Sequence, residues 1–373
     1  MSDQTKSWLE TRLPLASSMQ SCIWNMKMAV EKPYLAALGS LITATLIFLT
    51  LSGFVLSLFY VAAPGAAFDS IQFISRNVDN GWLVRSFHAT GATMLFAATY
   101  LVVFRTLLTG GYRAPNELTW ILKLVFLGLV LIIGYFGYAM ADGAVSYWSL
   151  HETTVAGARL TSFPGAISNW VFGGPAGPGT LGRVAVLHSA LALLGFGVLA
   201  LHLAAKRAVA PVPTKTVTLH PYYTSHHFVA FAVFALIFAV LVFFAPHWGE
   251  NQLNLAAANP LVVPAVLTPP WYLLPVSAFA AASSSPLGSI FLVLAGFAVL
   301  FAAPWLDQSK GTKPGLFYKI LVAVLALDVF GLCMAQADGP SMLSSILSTI
   351  FIGWYFLHFL VLSPLATAME SKK

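Results

Sequence analysis

The stretch RVAVLHSALALLGFGVLALHL, Arg183 to Leu203, sets two histidines, His188 and His202, in an otherwise apolar run headed by one arginine. On a helix rising 1.5 Å per residue with 3.6 residues per turn, their separation in sequence puts both imidazoles on nearly one face, about 21 Å apart. A membrane-spanning helix needs about 20 mostly apolar residues. An ionisable group inside such a helix is costly, which makes it a candidate functional group. A second run, RSFHATGATMLFAATYLVVFRTLL from Arg85 to Leu108, carries His88 shortly after its own arginine. If both runs cross in the same direction, His88 and His188 lie at nearly the same depth, just inside one membrane face.

Working outward, apolar segments of spanning length fall at 34–62, 86–108, 119–140, 184–205, 228–246, 285–304, 316–336 and 343–366. Of the 373 residues 58% are hydrophobic and 9% charged, against roughly 25% charged in soluble domains. The expected fold class is therefore all-α and integral to the membrane. Eight transmembrane helices are expected, the first four forming a bundle within 34–220 and the other four lying in 221–373, after a short N-terminal segment, 1–33. The uncharged stretch 251–306 is too long for one span. Its first half holds Asn259-Pro260, Pro264, Thr268-Pro269-Pro270 and Pro275, breaker signals that place a folded surface loop at 247–284. The polar start, Met1 to Trp8, lacks a secretory pattern, so the first span is expected to be the first insertion signal.

Charge follows the same plan. Net charge is +6, and of the 19 Lys and Arg residues only Arg76, Arg85, Arg159 and Arg183 fall in the connections of one side. The positive-inside rule then puts both termini in the cytoplasm. The basic excess is read as topology rather than as affinity for nucleic acid. Two distant cysteines, Cys22 and Cys333, exclude a disulfide scaffold, a Cys-ligated cluster and a C-x-x-C-H attachment site.

A lone histidine in a membrane helix more often bonds a neighbouring helix than a metal. Two at equal depth on facing helices have the arrangement that ligates a haem iron from both sides, which suits electron transfer. Arg85 and Arg183 stand where propionates would need partners. Gly39 and Gly53 in the first span repeat the interval of His188 and His202, and Gly137 lies near the end of the third. A flat macrocycle between helices needs such positions, although glycines in membrane helices also serve close packing.

These residues resemble the cytochrome b subunit of the cytochrome bc quinol oxidases, the respiratory complex III family. The likeness runs from Trp8-Leu-Glu-Thr-Arg-Leu-Pro14 to Trp354-Tyr-Phe-Leu-His-Phe. It includes Arg85-Ser-Phe-His88-Ala-Thr-Gly91, Gly137-Tyr138, Gly143-Ala-Val-Ser-Tyr-Trp148, Arg183 with His188, His220-Pro-Tyr-Tyr-Thr224 and Pro269-Pro270-Trp271-Tyr272. The resemblance implies two b haems stacked across the membrane, the outer one held by His88 and His188 with Gly53 and Gly137 beside it. The inner one would rest on His202 and a second histidine, with Arg105 and Gly39 nearby.

The chain departs from that pattern at the inner site. Val102 stands where the second ligand is expected, and Lys123 stands where the family has a glycine. Three outcomes are open: no inner haem, a five-coordinate haem on His202, or a substitute ligand such as Lys123. The first is the expectation, with Lys123 reaching toward the inner surface. At the outer quinol site Pro270 replaces a glutamate, and proline cannot take a quinol proton. Near the inner quinone region His226 and His227 replace the family's Lys-Asp, either exchanging protons there beside His220 or sitting at the interface as ordinary surface groups.

The implied protein is a cytochrome-b-type subunit of a bacterial inner membrane, with one haem b and ubiquinone or ubiquinol as cofactors. Its implied partners are membrane lipids and a c-type cytochrome or Rieske iron–sulfur protein, in a dimer of two copies or with a fully liganded cytochrome b. The rival reading is a structural subunit that docks a dehydrogenase, cytochrome or oxidase, for which Pro270 speaks. A transporter finds support only in Asp328, the one acidic residue well inside a span.

Overall fold

The computed structural model describes residues 27–29, 33–160, 162–174, 177, 179–210, 215–309, 311, 313–337, 339 and 341–370. The motif Trp8–Pro14 and Cys22 lie outside them. Among the described residues eight helices are long and apolar enough to cross a membrane. In chain order the helices are α1 (Pro33–Ser57), α2 (Ala66–Asn77), α3 (Gly81–Thr109), α4 (Glu117–Ala139), α5 (Ala144–Ala158), α6 (Ser162–Phe172) and α7 (Thr180–Ala208). After them come α8 (Thr224–Phe244), α9 (Leu274–Ala281), α10 (Pro286–Leu306), α11 (Leu316–Ala337), α12 (Met342–Leu357) and α13 (Ser363–Glu370), the last two joined through one π turn, His358–Leu362. Strands β1 (Lys27–Ala29) and β2 (Thr216–Thr218) pair antiparallel, Lys27 opposite Thr218, and so tie the N-terminal segment to the α7–α8 connection.

The spans fall where hydropathy puts them, with shifted ends. α1 stops at Ser57 rather than running to 62, because the backbone turns at Leu58 and Phe59. That turn brings the Tyr60 hydroxyl to the Met140 carbonyl at 2.9 Å. α3 and α7 start earlier than their apolar runs, so His88 lies seven residues inside Gly81 and His188 eight inside Thr180. Their depths differ by one residue, about 1.5 Å. Helices α2, α5 and α6 lie between spans and were not expected.

Four spans form the bundle as two tight pairs. α1 packs along α3 and α4 along α7, while contacts between the pairs are sparse. The end that carries His88 and His188 is called the outer end here. At the other end a polar cluster joins the two halves of the chain: Arg113 Nε lies 2.7 Å from Asp307 Oδ2. The Tyr112 hydroxyl is 2.6 Å from the same oxygen and 2.8 Å from the Tyr318 hydroxyl. Burial pushes the Asp307 carboxyl up, but hydrogen bonds from Ser309, Tyr112 and Arg113 outweigh it and hold the group below its ordinary range. Trp120 is fully buried and donates to the Leu300 carbonyl at 2.9 Å, so α4 of the first half is anchored on α10 of the second.

Candidate haem centre

Two imidazoles face each other across the gap between the helix pairs. The ring centres of His88 and His188 are 6.3 Å apart, with planes at 61°. Metal–imidazole nitrogen bonds run about 2 Å, so this separation admits one metal ion between the rings once the ring radii are taken off. A ligand set of two histidines from facing helices is one that b-type haem uses.

Each ring is also oriented. His188 Nδ1 lies 2.9 Å from the Ile133 carbonyl, which can only accept, so Nδ1 carries the proton. His88 Nδ1 lies 3.0 Å from Ser52 Oγ. Ser52 gives its own hydrogen to the carbonyls of Phe48 (2.9 Å) and Leu49 (3.1 Å), so it accepts from Nδ1–H. Both tautomers thereby leave Nε2 with its lone pair for a metal, the outer-shell arrangement of ligating histidines.

The glycines act at close range. A methyl group placed on Gly53 would lie 2.9 Å from Cε1 of His88, and one on Gly137 would lie 2.9 Å from Cε1 of His188. Each glycine thus admits the imidazole of the helix its own helix packs against, where the sequence suggested room for the macrocycle itself. Arg183 packs its guanidinium against the backbone of Gly173, in the loop before α7. Arg85 sits one turn outward of His88 on α3.

The inner end is built differently. Val102 packs against the apolar core and offers no lone pair. Lys123 Nζ donates to Thr106 Oγ1 at 3.1 Å, and that hydroxyl donates to the Val102 carbonyl at 2.7 Å, so the amine reaches past the lost ligand position toward the inner surface. Among the described residues His202 Nδ1 is buried with no hydrogen-bond partner. A methyl on Gly39 would meet no atom of the described residues within 4 Å. Arg105 remains on α3, its backbone carbonyl accepting from Thr109 at 2.8 Å. The residues fit a bis-histidine haem at the outer end and do not fit one at the inner end.

The segment Pro269-Pro270-Trp271-Tyr272 packs against α3 and α4. Tyr272 stacks on Phe96 with ring centres 3.8 Å apart and accepts at its carbonyl from the Tyr100 hydroxyl at 2.7 Å. Its own hydroxyl lies 3.3 Å from the carbonyl of Gly134, the residue after Ile133, so this segment touches the backbone that holds His188. Burial pushes the Tyr272 phenol well above its ordinary value. Among the described residues Trp271 Nε1 is buried without a partner.

Two carboxylates near this end were not picked out from the sequence. Burial pushes Asp142 up to about 6, against the lowering effect of the Gly65 backbone N–H. Glu250 pairs with His247 at 3.1 Å, and the intervening Trp248 lies 6.4 Å from Trp271 ring to ring. Asp142 stands directly before the Gly143–Trp148 motif and Glu250 in the loop that leads to Pro269–Tyr272, the signals that could have flagged them. Toward the inner side, His220 Nδ1 bonds Thr224 at 2.9 Å, His226 packs on Tyr222 and His227 on Tyr223. All three contacts are local to the start of α8.

Residues 24–210 match the family model Cytochrome b/b6/petB, and residues 257–357 match Cytochrome b(C-terminal)/b6/petD. The chain belongs to the cytochrome b family. It is 34% identical to cytochrome b of Rickettsia bellii, over 97% of this chain and 94% of that one. It is 33% identical to cytochrome b of Rhodospirillum rubrum, over 98% and 93%. Cytochrome b/c1 of Bradyrhizobium diazoefficiens is 30% identical over 100% of this chain and 56% of its own length. A chain of a solved structure described as a hyperthermophilic respiratory Complex III superposes with a TM-score of 0.85 at 26% identity, covering 98% of this chain and 99% of that one.

Proposed function

We propose that this cytochrome b is a membrane subunit of a quinol:cytochrome c oxidoreductase-like complex of the complex III type, holding a single haem b through His88 and His188. The observation that carries the reading is the facing pair of imidazoles, 6.3 Å apart, each with Nδ1 tied down. Such a haem supplies one-electron transfer with no open coordination position. The chain's own residues set its surroundings: Ser52 and the Ile133 carbonyl fix the rings, Gly53 and Gly137 admit them, and Arg85 and Arg183 supply positive charge for propionates. Val102 takes away the second inner ligand, and Lys123 stands where the family has a glycine, its amine drawn off to Thr106. His188 and His202 are about 21 Å apart along α7, so the inner half offers no bis-histidine relay across that distance.

In this reading the subunit sits in a bacterial inner membrane with both termini cytoplasmic, beside a c-type cytochrome or iron–sulfur protein. It pairs with a fully liganded cytochrome b that completes the path across the membrane. Isolation of the native complex with two copies of this chain and no other b subunit would remove the pairing. A second reading, a docking subunit without quinol chemistry of its own, is favoured by Pro270, which has no proton-accepting group. The test is stopped-flow reduction of the purified chain by a short-tailed quinol. Rapid reduction of stoichiometric haem, lost in His188→Ala, supports electron transfer, whereas haem that quinol does not reduce supports docking.

A further inference from the structure

Lys123 places a cation inside a span, at the end of the bundle whose residues do not fit a haem. It lies six residues inside the start of α4. His202 lies six residues short of the end of α7, and Gly39 six inside the start of α1. All three are therefore about 9 Å from the inner ends of their helices. α7 has 29 residues, a length of about 43 Å that matches a bilayer with its headgroups. The layer of Lys123, His202 and Gly39 thus falls at the boundary between inner headgroups and acyl chains.

Positive groups converge on this layer from three helices. The Lys123 ammonium is within electrostatic range of Arg105 on α3 and Lys206 on α7, and the His202 ring is within range of Lys123 and Lys206. Among the described residues the ion pairs are those of Arg113 with Asp307 and Glu370 and of His247 with Glu250, so no carboxylate there neutralises Lys123 or Lys206. Like charges gathered at the edge of a low-dielectric layer repel one another, and a bound anion relieves that cost. Lys123 also has donors left over. An ammonium carries three hydrogens, and among the described residues only the Thr106 hydroxyl takes one, at 3.1 Å. Space is present as well. A methyl on Gly39, or on Gly197 of α7, would meet no atom of the described residues within 4 Å.

We propose that the gap between the helix pairs at the inner end binds a phosphate group, carried by an anionic phospholipid of the inner leaflet. Lys123 and Lys206 donate to the phosphate oxygens, and Arg105 adds positive potential. The lysine stems lie along apolar surface while their heads reach the phosphate layer, and the acyl chains run outward past Gly39 and Gly197. Basic pockets between membrane helices hold anionic headgroups in this way. A free phosphate offers the same oxygens but has no chain to keep it at this depth, and a zwitterionic headgroup brings an ammonium that these cations repel. The proposal rests on the reading that the inner end holds no haem, since a macrocycle would fill the same gap.

The test is titration of the full chain in detergent with phosphatidylglycerol, and separately with phosphatidylcholine, read by native mass spectrometry with haem b counted in the same preparation. One phosphatidylglycerol per chain is expected to bind in preference to phosphatidylcholine. Its affinity is expected to fall about fivefold in Lys123→Gln and again in Lys206→Gln, and to be kept in Lys123→Arg. It is expected to stay unchanged in Lys215→Gln, which alters an exposed lysine of the α7–α8 connection. Haem content and helical circular dichroism should not move in any of these variants. Undiminished affinity in Lys123→Gln, no preference for phosphatidylglycerol, or an equal loss in Lys215→Gln would overturn the proposal, the last by reducing the site to general surface charge. Displacement of the lipid by excess inorganic phosphate would overturn the lipid source and leave the phosphate site standing. Two haems per chain would overturn the reading of the inner end and this proposal with it, whereas one haem and no retained lipid overturns this proposal alone.

Discussion

The two ends of the four-helix bundle share helices and the same sequence interval, yet they are organised on different principles. At the outer end, glycines on α1 and α4 give way to imidazoles on α3 and α7, and each imidazole is locked by a group from the helix it packs against. At the inner end Gly39 faces no atom of the described residues within 4 Å, Val102 is packing, and an amine is hydrogen-bonded one turn further in. Stability there comes from side chains bonding one another, above all the buried pair of Arg113 and Asp307. A metal site thus depends on more than a surviving histidine. His202 remains, with the Thr119 backbone as a hydrogen-bond partner of its ring, but no second histidine faces it across the gap, where Val102 stands.

The largest expected effect comes from filling the glycines. Gly53→Leu and Gly137→Leu should each abolish haem b, read as absorbance per polypeptide at unchanged helical circular dichroism. Gly39→Leu should leave it unchanged, and equal losses at all three would break the contrast between the ends. Next in size is a gain: Val102→His combined with Lys123→Gly should raise the haem content of the purified chain from one to two. Failure to gain a second haem in a folded double variant would mean that more than ligand and room has changed at the inner end.

Asp307→Asn tests the side-chain organisation of the inner end. Removing one partner of a buried ion pair costs about 3–5 kcal/mol, to be read as a lowered thermal midpoint. The wild-type carboxyl is held below its ordinary range, so its contribution is complete above the unfolded carboxylate pKa of about 3.9 and is lost as pH falls through the lowered folded value. The wild type should therefore lose thermal stability below about pH 4, and the variant should lack that part of the loss. The smallest effect is expected for Ser52→Ala, which removes the acceptor of His88 Nδ1. Haem affinity should fall by about 10- to 100-fold, measured by haem transfer to apomyoglobin, with no change in the fold.

Much of the outer end was legible in the sequence because a histidine in an apolar helix is rare and its spacing survives in any reading of the chain. His88, His188, Gly53 and Gly137 could be placed together for that reason. Ser52 could not, since a serine in a span ordinarily bonds its own helix, as this one also does, and the Ile133 carbonyl leaves no trace in residue identity. Val102 and Lys123 became informative only through resemblance to a family, as valine and lysine at those places would otherwise read as lipid-facing packing and a snorkelling cation. The clamp at the inner end was hidden because Arg113 and Asp307 are 194 residues apart. α2, α5 and α6 were missed because an apolar-run search finds only spans. Asp328 stood out from the start as a carboxyl in mid-span.

The central claim is that only the outer end holds haem, and the most direct measurement is the ratio of haem b to polypeptide in the purified native chain. One haem, lost in His88→Ala and retained in His202→Ala, is the predicted result. Two haems, or one that disappears with His202 and survives the loss of His88, would contradict it.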